Sequence, residues 1–385
     1  MDDTRAKSQI IIVGADHHNT LTVIRCFGLA RCEFHILVHT EHPDNIGISN
    51  SRFAKDRISS VKSEESDIVG WLKEYGRTKP DKSKIIVPCS DLAAFVIDKH
   101  WNELNTDYRL PGFIGQPGRV AIMMDKMNQM EFAEQYGIPV PKSWSIQVES
   151  NPTKKSDVLF PCIIKPEVSA SGRKSDISVC NNEEEFIGCI GALYALGYKQ
   201  VIVQQYLKKK YEICAFGAMA SNGSYDYVTV RKIRETPPPA QGSTLYAVFS
   251  DDAKDDEAVK GILEKLKAEH FNGLFDIEML VCEDGTYLNE INFRTSGCGF
   301  GMIHGDYAIP LQWVLTEENP ELPVRYKKPF GKRIQNDLAD LSSRRKNRIG
   351  LFEWLKSFVK SSKHAYFSLY DFPGTLFFYK RLFKR

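Results

Sequence analysis

No Cys-x-x-Cys pair occurs in this 385-residue chain, although it holds nine cysteines. They stand singly at Cys26, Cys32, Cys89, Cys162, Cys180, Cys189, Cys214, Cys282 and Cys298, several of them inside apolar runs. Neither a zinc site nor a disulfide framework is implied, and buried free thiols are the expected state. Long hydrophobic runs are missing as well. The first apolar stretch, residues 10–13, is far too short for a signal or membrane-spanning segment, so a cytoplasmic location is expected. There is no internal repeat, no low-complexity stretch beyond Pro237-Pro238-Pro239, and no G-x-x-x-x-G-K-[ST] phosphate loop.

What is present points to a globular protein. With 42% apolar and 26% charged residues, the chain has enough aliphatic and aromatic surface for two or three packed domains. The net charge of +2 conceals an asymmetry. Residues 326–385 hold 15 Lys plus Arg against 4 Asp plus Glu, a balance of +11, which leaves 36 minus 45, or −9, for the rest. A basic tail is attached to an acidic body.

The run Ile10-Ile11-Ile12-Val13-Gly14 reads as a strand that enters a loop, followed by a helix over residues 21–29. Strands at 34–38 and 84–88 alternate with helices at 66–75 and 92–100, the pattern of a small parallel sheet whose ligands sit at its carboxyl end. Turn formers crowd residues 110–118, where a first boundary is expected. A helix over 119–136 follows, stopped by Gly137-Ile138-Pro139. Beyond it come strand-like pieces at 162–165, 177–180, 201–205, 211–217, 225–233, 275–281 and 286–291, with helices at 183–196 and 255–270. This second region is an α+β mixture with antiparallel character.

The strongest chemical signal lies in residues 275–294. Two apolar strands joined by Glu283-Asp284-Gly285 form a hairpin that brings Glu278 and Glu290 side by side. Facing carboxylates in an apolar ribbon repel unless a cation lies between them. Asn292 and Arg294 follow Glu290 at period-two spacing and share its face. Two acids and an amide oxygen suit a hard ion such as Mg²⁺, completed by water and phosphate oxygens; the bland alternative is a solvent-facing strand edge. Lys165 ends another apolar strand and precedes the small residues Ser169, Ala170, Ser171 and Gly172, whose backbone N–H groups can approach phosphate oxygens. Lys126, at the start of a helix, reads on its own as a surface lysine.

The order Asp125-Lys126, Gly137-Ile-Pro-Val-Pro141, Ile164-Lys165-Pro166 with its Ser/Gly loop, Gln204-Gln-Tyr-Leu207 with Glu212, then Glu278 and Glu290-Ile-Asn292-Phe-Arg294 resembles the ATP-grasp superfamily over roughly residues 5–310. Within it, the segment from Gly14 to Arg25 and the basic tail are closest to D-aspartate-ligase-like carboxylate-amine ligases. The resemblance implies an α/β fold: an N-terminal parallel-sheet (pre-ATP-grasp) domain over 1–115, a two-lobed α+β ATP-grasp domain over 116–315 with lobes about 116–200 and 201–315, and a basic, partly helical extension over 316–385.

It implies ATP and Mg as cofactors and an ADP-forming ligase as the activity. Lys126 and Lys165 would hold the phosphates beneath the Ser169, Ser171 and Gly172 loop. Gln204, Gln205 and Leu207 would line the adenine hinge, with Gln204 replacing the family's commoner Glu, and Glu212 would accept the ribose hydroxyls. Glu278, Glu290 and Asn292 would ligate Mg²⁺, and Arg294 would steady an acyl phosphate. The chemistry agrees: a carboxylate becomes an electrophile only after phosphoryl transfer, which needs positioning and charge neutralisation rather than a protein nucleophile.

Arg231, Lys232 and Arg234 precede a Gly- and Pro-containing loop suited to covering an anionic substrate, with a solvated basic strand as the alternative. His17, His18 and Asn19, just past the first strand, and Ser296, Gly297 and His304, after the ribbon, are further substrate candidates. The expected partners are a small-molecule carboxylate and amine, with no nucleic acid, because the body lacks a basic stripe; the oligomeric state is left open. In the tail, Leu351, Trp354, Leu355, Phe358 and Val359 trace an amphipathic helix. Aromatics interleaved with cations beyond it fit either peripheral contact with an anionic bilayer or packing on the ATP-binding domain. Two other functions compete with the ligase: an ATP-grasp ligase of peptide or nucleotide-precursor synthesis, and a non-catalytic nucleotide-binding scaffold docked to a membrane complex.

Overall fold

The computed structural model describes residues 5–78, 80–149, 158–166, 176–237 and 242–383. The first unit is built on strands β1 (Gln9–Ala15), β2 (Phe34–His39), β3 (Ile58–Val61) and β4 (Lys84–Pro88), all parallel and ordered β3-β2-β1-β4. Helices α1 (His18–Leu29), α2 (Glu65–Arg77), α3 (Asp91–Lys99) and α4 (Trp101–Leu104) connect and cover them. β1 is apolar on both faces because helices cover both: Ile10 and Ile12 pack into one core, Ile11 and Val13 into another. Helix α1 begins three residues earlier than its apolar pattern predicts, because the His17 side chain caps it by accepting from Asn19 N.

The expected boundary at 110–118 is not free chain. Its strand β5 (Gly112–Phe113) pairs with the large sheet described below. The single helix predicted over 119–136 is two: α5 (Arg119–Met123) and α6 (Lys126–Gln135). Asp125 breaks them apart by capping the second, accepting from Met127 N (2.8 Å) and Asn128 N (3.2 Å). Lys126 thereby becomes the first residue of α6.

A small antiparallel sheet follows, made of β6 (Ser143–Gln147), β7 (Cys162–Pro166), β8 (Ser178–Cys180) and β9 (Gln200–Gln205) in the order β6-β9-β7-β8, with α7 (Glu183–Ala195) packed on it. β6 was not anticipated; its half-buried Ser-Trp-Ser-Ile-Gln carries too weak an alternation.

The large sheet holds β10 (Tyr211–Met219), β11 (Tyr225–Glu235), β12 (Thr244–Ser250), β13 (Phe271–Val281) and β14 (Thr286–Asn292). Two short strands from the tail, β15 (Arg333–Gln335) and β16 (Ser361–His364), complete the order β14-β13-β10-β11-β12-β15-β16. Helix α8 (Ala253–Ala268) covers one face, where Ile213, Ala215, Ile277 and Met279 meet Val259, Ile262 and Leu263. The other face carries Cys214, Phe216, Val228 and Val230 into the core shared with α1 and with α9 (Ile309–Glu318).

The stretch from residue 316 onward therefore does not stand apart. Helix α10 (Asp337–Ser343) is held by a buried pair in which Arg234 donates through Nε and Nη2 to Asp340 at 3.1 and 2.5 Å. After α11 (Leu351–Lys360) and β16, the chain crosses to the first domain and ends in α12 (Phe372–Phe383). There Arg25 donates to Asp371 Oδ2 (2.9 Å), Ala365 O (2.9 Å) and Tyr366 O (2.8 Å). All nine cysteines are free, and eight of them are buried. Among the described residues, no helix is long and apolar enough to cross a membrane.

Candidate active site

The β13–β14 ribbon pairs Glu278 with Glu290 and Asp276 with Asn292, directly across from each other. Pairing then slips: Met279 faces Leu288, which leaves Asn289 as the extra residue of a β-bulge. Leu288 and Ile291 both enter the core, three residues apart, so Asn289 and Glu290 are both released from it. The bulge aims two polar side chains away from the core where plain alternation would deliver one.

Lys165, at the end of β7 in the small sheet, reaches this bulge. Its Nζ donates to Asn289 Oδ1 (3.2 Å) and to Gln204 Oε1 on β9 (2.8 Å). Burial, and then the Lys126 charge, lower its pKa to about 8 against the opposing pull of Glu290, Glu212 and Glu278. The Lys126 Nζ lies 3.8 Å from Glu290 Oε1.

On the same face of the large sheet, Glu212 on β10 is buried between Lys232 and Lys209. Lys209 donates to it at 2.8 Å and also to Glu235 at 2.6 Å, and Lys232 donates to Glu212, to Glu278 Oε2 (3.1 Å) and to Gly242 O (2.8 Å). Burial would push the Glu212 carboxyl up, but Lys232 and Lys209 hold it below the ordinary carboxylate range. Lys232 is raised well above the usual lysine value because Glu278 and Glu212 outweigh its burial.

A second cluster adjoins the first. Arg294 donates through Nε to Asp91 Oδ1 (2.9 Å) and through Nη1 to Asp276 Oδ2 (3.0 Å) and Thr295 O (3.1 Å). The Asp276 carboxylate also accepts from Ser296 Oγ (3.0 Å) and Cys214 Sγ (2.7 Å), and burial raises it against the pull of Arg294. His18 Nε2 lies 3.1 Å from Gly297 O, and Asn19 Nδ2 donates to Thr295 O at 3.4 Å. Burial, then His17, lowers the His18 pKa well below its ordinary value, so the ring is neutral at pH 7. The Asn19 Oδ1 atom is buried without a partner.

The structure thus gathers Lys126, Lys165, Lys232, Gln204, Glu212, Glu278, Glu290 and Asn292 around one cleft, with Arg294, Ser296, Gly297, His18 and Asn19 beside it. His17 caps α1 and tilts against His18, ring centroids 4.0 Å apart. Gln205 and Leu207 lie where the chain passes from β9 to β10, between the two sheets.

Three expected site residues point elsewhere. Arg231 alternates with Lys232 and so emerges on the α8 face, bound to Asp252 (3.1 Å), Asp255 (3.0 Å) and the Tyr211 hydroxyl (3.0 Å). Arg234 is committed to Asp340. The His304 ring lies tilted against Tyr370 of the tail, centroids 4.6 Å apart, and burial lowers its pKa to about 4. Ser169, Ser171 and Gly172 lie outside the described residues. Asn289, Asp276, Asp91 and Lys209 were missed. The signal for Asn289 was in the sequence, since apolar Leu288 and Ile291 at spacing three break the strand period.

Glu278, Glu290 and Asn292 offer hard oxygen donors, which fit Mg²⁺ in type. Among the described residues, no group of three or more His, Cys, Asp or Glu could hold a metal by itself. An ion here would need oxygens from a bound phosphate as well, which is the usual way Mg²⁺ is held.

Comparison with known proteins places this architecture. Residues 131–307 match the model of the ATP-grasp domain. No curated protein matches the sequence. Among solved structures, N5-carboxyaminoimidazole synthetase from Staphylococcus aureus is similar, with 16% identity, a TM-score of 0.64, and 89% of this chain and 86% of that chain covered. An L-amino acid ligase from Bacillus licheniformis is similar at 13% identity and TM-score 0.61, covering 83% and 78%. The biotin carboxylase domain of a Hydrogenobacter thermophilus 2-oxoglutarate carboxylase, in complex with MgADP, ADP and bicarbonate, is similar at 13% identity and TM-score 0.60, covering 85% and 73%. The parallel N-terminal sheet and the small and large antiparallel sheets are shared with these structures as a fold, and residues 131–307 of the chain form an ATP-grasp domain.

Proposed function

We propose that this protein is an ATP-dependent carboxylate-amine ligase, which activates a carboxylate as an acyl phosphate and couples it to an amine, releasing ADP and phosphate. One observation carries the reading: Lys165 of the small sheet contacts the bulged ribbon that bears Glu278 and Glu290, and Lys126 reaches the same ribbon from α6. Separate elements bring cations and carboxylates to one cleft, as positioning a polyphosphate with a divalent ion requires. The similar fold of a biotin carboxylase domain holding MgADP supports the nucleotide, and that of an L-amino acid ligase supports an amino-acid carboxylate.

Lys126 and Lys165 would neutralise phosphate oxygens. Glu278, Glu290 and Asn292 would hold Mg²⁺, which when bound neutralises charge on the transferring phosphoryl group. A substrate carboxylate oxygen attacks the terminal phosphorus, and the bond to ADP breaks. The amine then attacks the acyl carbon, loses a proton, and phosphate leaves. Arg294, fixed by Asp91 and Asp276, is pre-oriented to stabilise the tetrahedral oxyanion without reorganising. Buried His18 and Asn19 brace the segment after Arg294 through Gly297 O and Thr295 O, a positioning role behind the reacting groups.

The test is ADP release from MgATP across a panel of amino acids paired with amines. Substrate-stimulated release with a matching amide product supports the ligase. ATP binding without stimulated release by any pair would favour a nucleotide-binding scaffold instead.

A further inference from the structure

Helix α11 turns its apolar face away from the protein. Trp354 and Ser357 are buried against the fold, yet Phe352 is 83% exposed and Val359 77%, with Leu351 and Leu355 exposed beside them. At about 100° per residue these four side chains span an arc of about 100°. Lys356 and Lys360 flank that arc, both exposed. A second apolar set follows on the next elements: Leu369, at 76%, with Tyr370, Phe372 and Leu376. The two sets are joined through the fold, because Phe358 of α11 packs on Phe367 with ring centroids 5.3 Å apart, and Lys363 lies over the Tyr370 ring at 6.0 Å.

We propose that this face, residues 351–376, docks the protein on an anionic lipid bilayer. Charge selects the occupant. Residues 341–385 hold 11 Lys plus Arg against 2 Asp plus Glu. One of the two acids, Asp371, is buried against Arg25; the other, Glu353, is exposed on α11 about 100° beyond Phe352, outside the apolar arc. The most exposed side chains are bulky and apolar, and the cations stand at their flank. A helix that inserts to the headgroup boundary has this layout, with apolar groups entering and lysines meeting the phosphates. Protein-protein interfaces, by contrast, are depleted in lysine near their centres. The inference is independent of the ligase reading.

Co-sedimentation of the full chain with phosphatidylcholine vesicles, with and without phosphatidylglycerol, tests the proposal. Binding should require the anionic lipid and weaken as salt is raised. Lys356→Glu combined with Lys360→Glu should lower partitioning about a hundredfold or more, and Phe352→Asp with Val359→Asp should abolish it. All four positions are exposed, so thermal unfolding and ADP binding should be unchanged and would certify that the variants are folded. Failure of the wild-type chain to bind anionic vesicles would overturn the proposal, as would undiminished binding by the Phe352→Asp, Val359→Asp variant. A dimer in light scattering that this variant converts to monomer, with no vesicle binding, would assign the face to a second copy of the chain.

Discussion

Raising the pH past about 8 should remove the proton from Lys165 while ordinary lysines, near 10.5, keep theirs. The cause is burial plus the neighbouring Lys126 ammonium, both of which disfavour the charged form in the free protein. A bound polyphosphate reverses the balance by supplying negative charge, so nucleotide binding must restore the proton. Below about pH 8 that proton is already present and affinity should be level. Above it, binding takes up nearly one proton, and each further pH unit costs about 1.4 kcal/mol, a tenfold rise in Kd. Titration calorimetry of ADP in buffers of different ionisation enthalpy, between about pH 7 and pH 9.5, reads both affinity and proton uptake. Lys165→Arg keeps its charge throughout this range and should flatten the profile. Lys165→Met should be flat and weaker by about 2–3 kcal/mol. Wild-type affinity that stays level across the range, or a Lys165→Arg profile as steep as wild type, would refute the placement of Lys165 against the phosphates.

Glu290→Ala should abolish turnover, by about a thousandfold or more, while leaving the circular dichroism spectrum unchanged; retained turnover would move the metal site elsewhere. Arg294→Lys loses the fork that engages Asp91 and Asp276 together, so kcat should fall about a hundredfold or more with ADP affinity unchanged by calorimetry. Arg25→Ala leaves Asp371 buried without its counter-charge and should destabilise the protein by about 3–5 kcal/mol in urea unfolding, with earlier protease cleavage of the tail.

The sequence disclosed some of this through side-chain periodicity and turn chemistry, and hid what depends on local irregularity. The cross-strand pairing of Glu278 with Glu290 follows from apolar strands around Glu283-Asp284-Gly285 and is present in the structure. The bulge at Asn289 does not follow from pairing alone, and it is what connects the ribbon to Lys165. Likewise the Lys126 position depends on Asp125 capping α6, a short-range hydrogen bond that splits what an apolar pattern presents as one helix. Arg231 and Lys232 are equivalent by composition, but strand alternation sends only Lys232 to the cleft. Strands β15 and β16 are short and add to a sheet formed far earlier in the chain, so nothing local announces them.

The buried Arg25–Asp371 pair joins positions 346 residues apart. During synthesis from the amino end, the helix carrying Arg25 emerges long before the carboxylate that neutralises it. Until Asp371 has left the ribosome, this guanidinium lacks its buried counter-charge and is better left hydrated than enclosed. Final consolidation of the domain that carries Arg25 therefore waits on the distant segment that carries Asp371, which favours concerted assembly of the two over independent maturation.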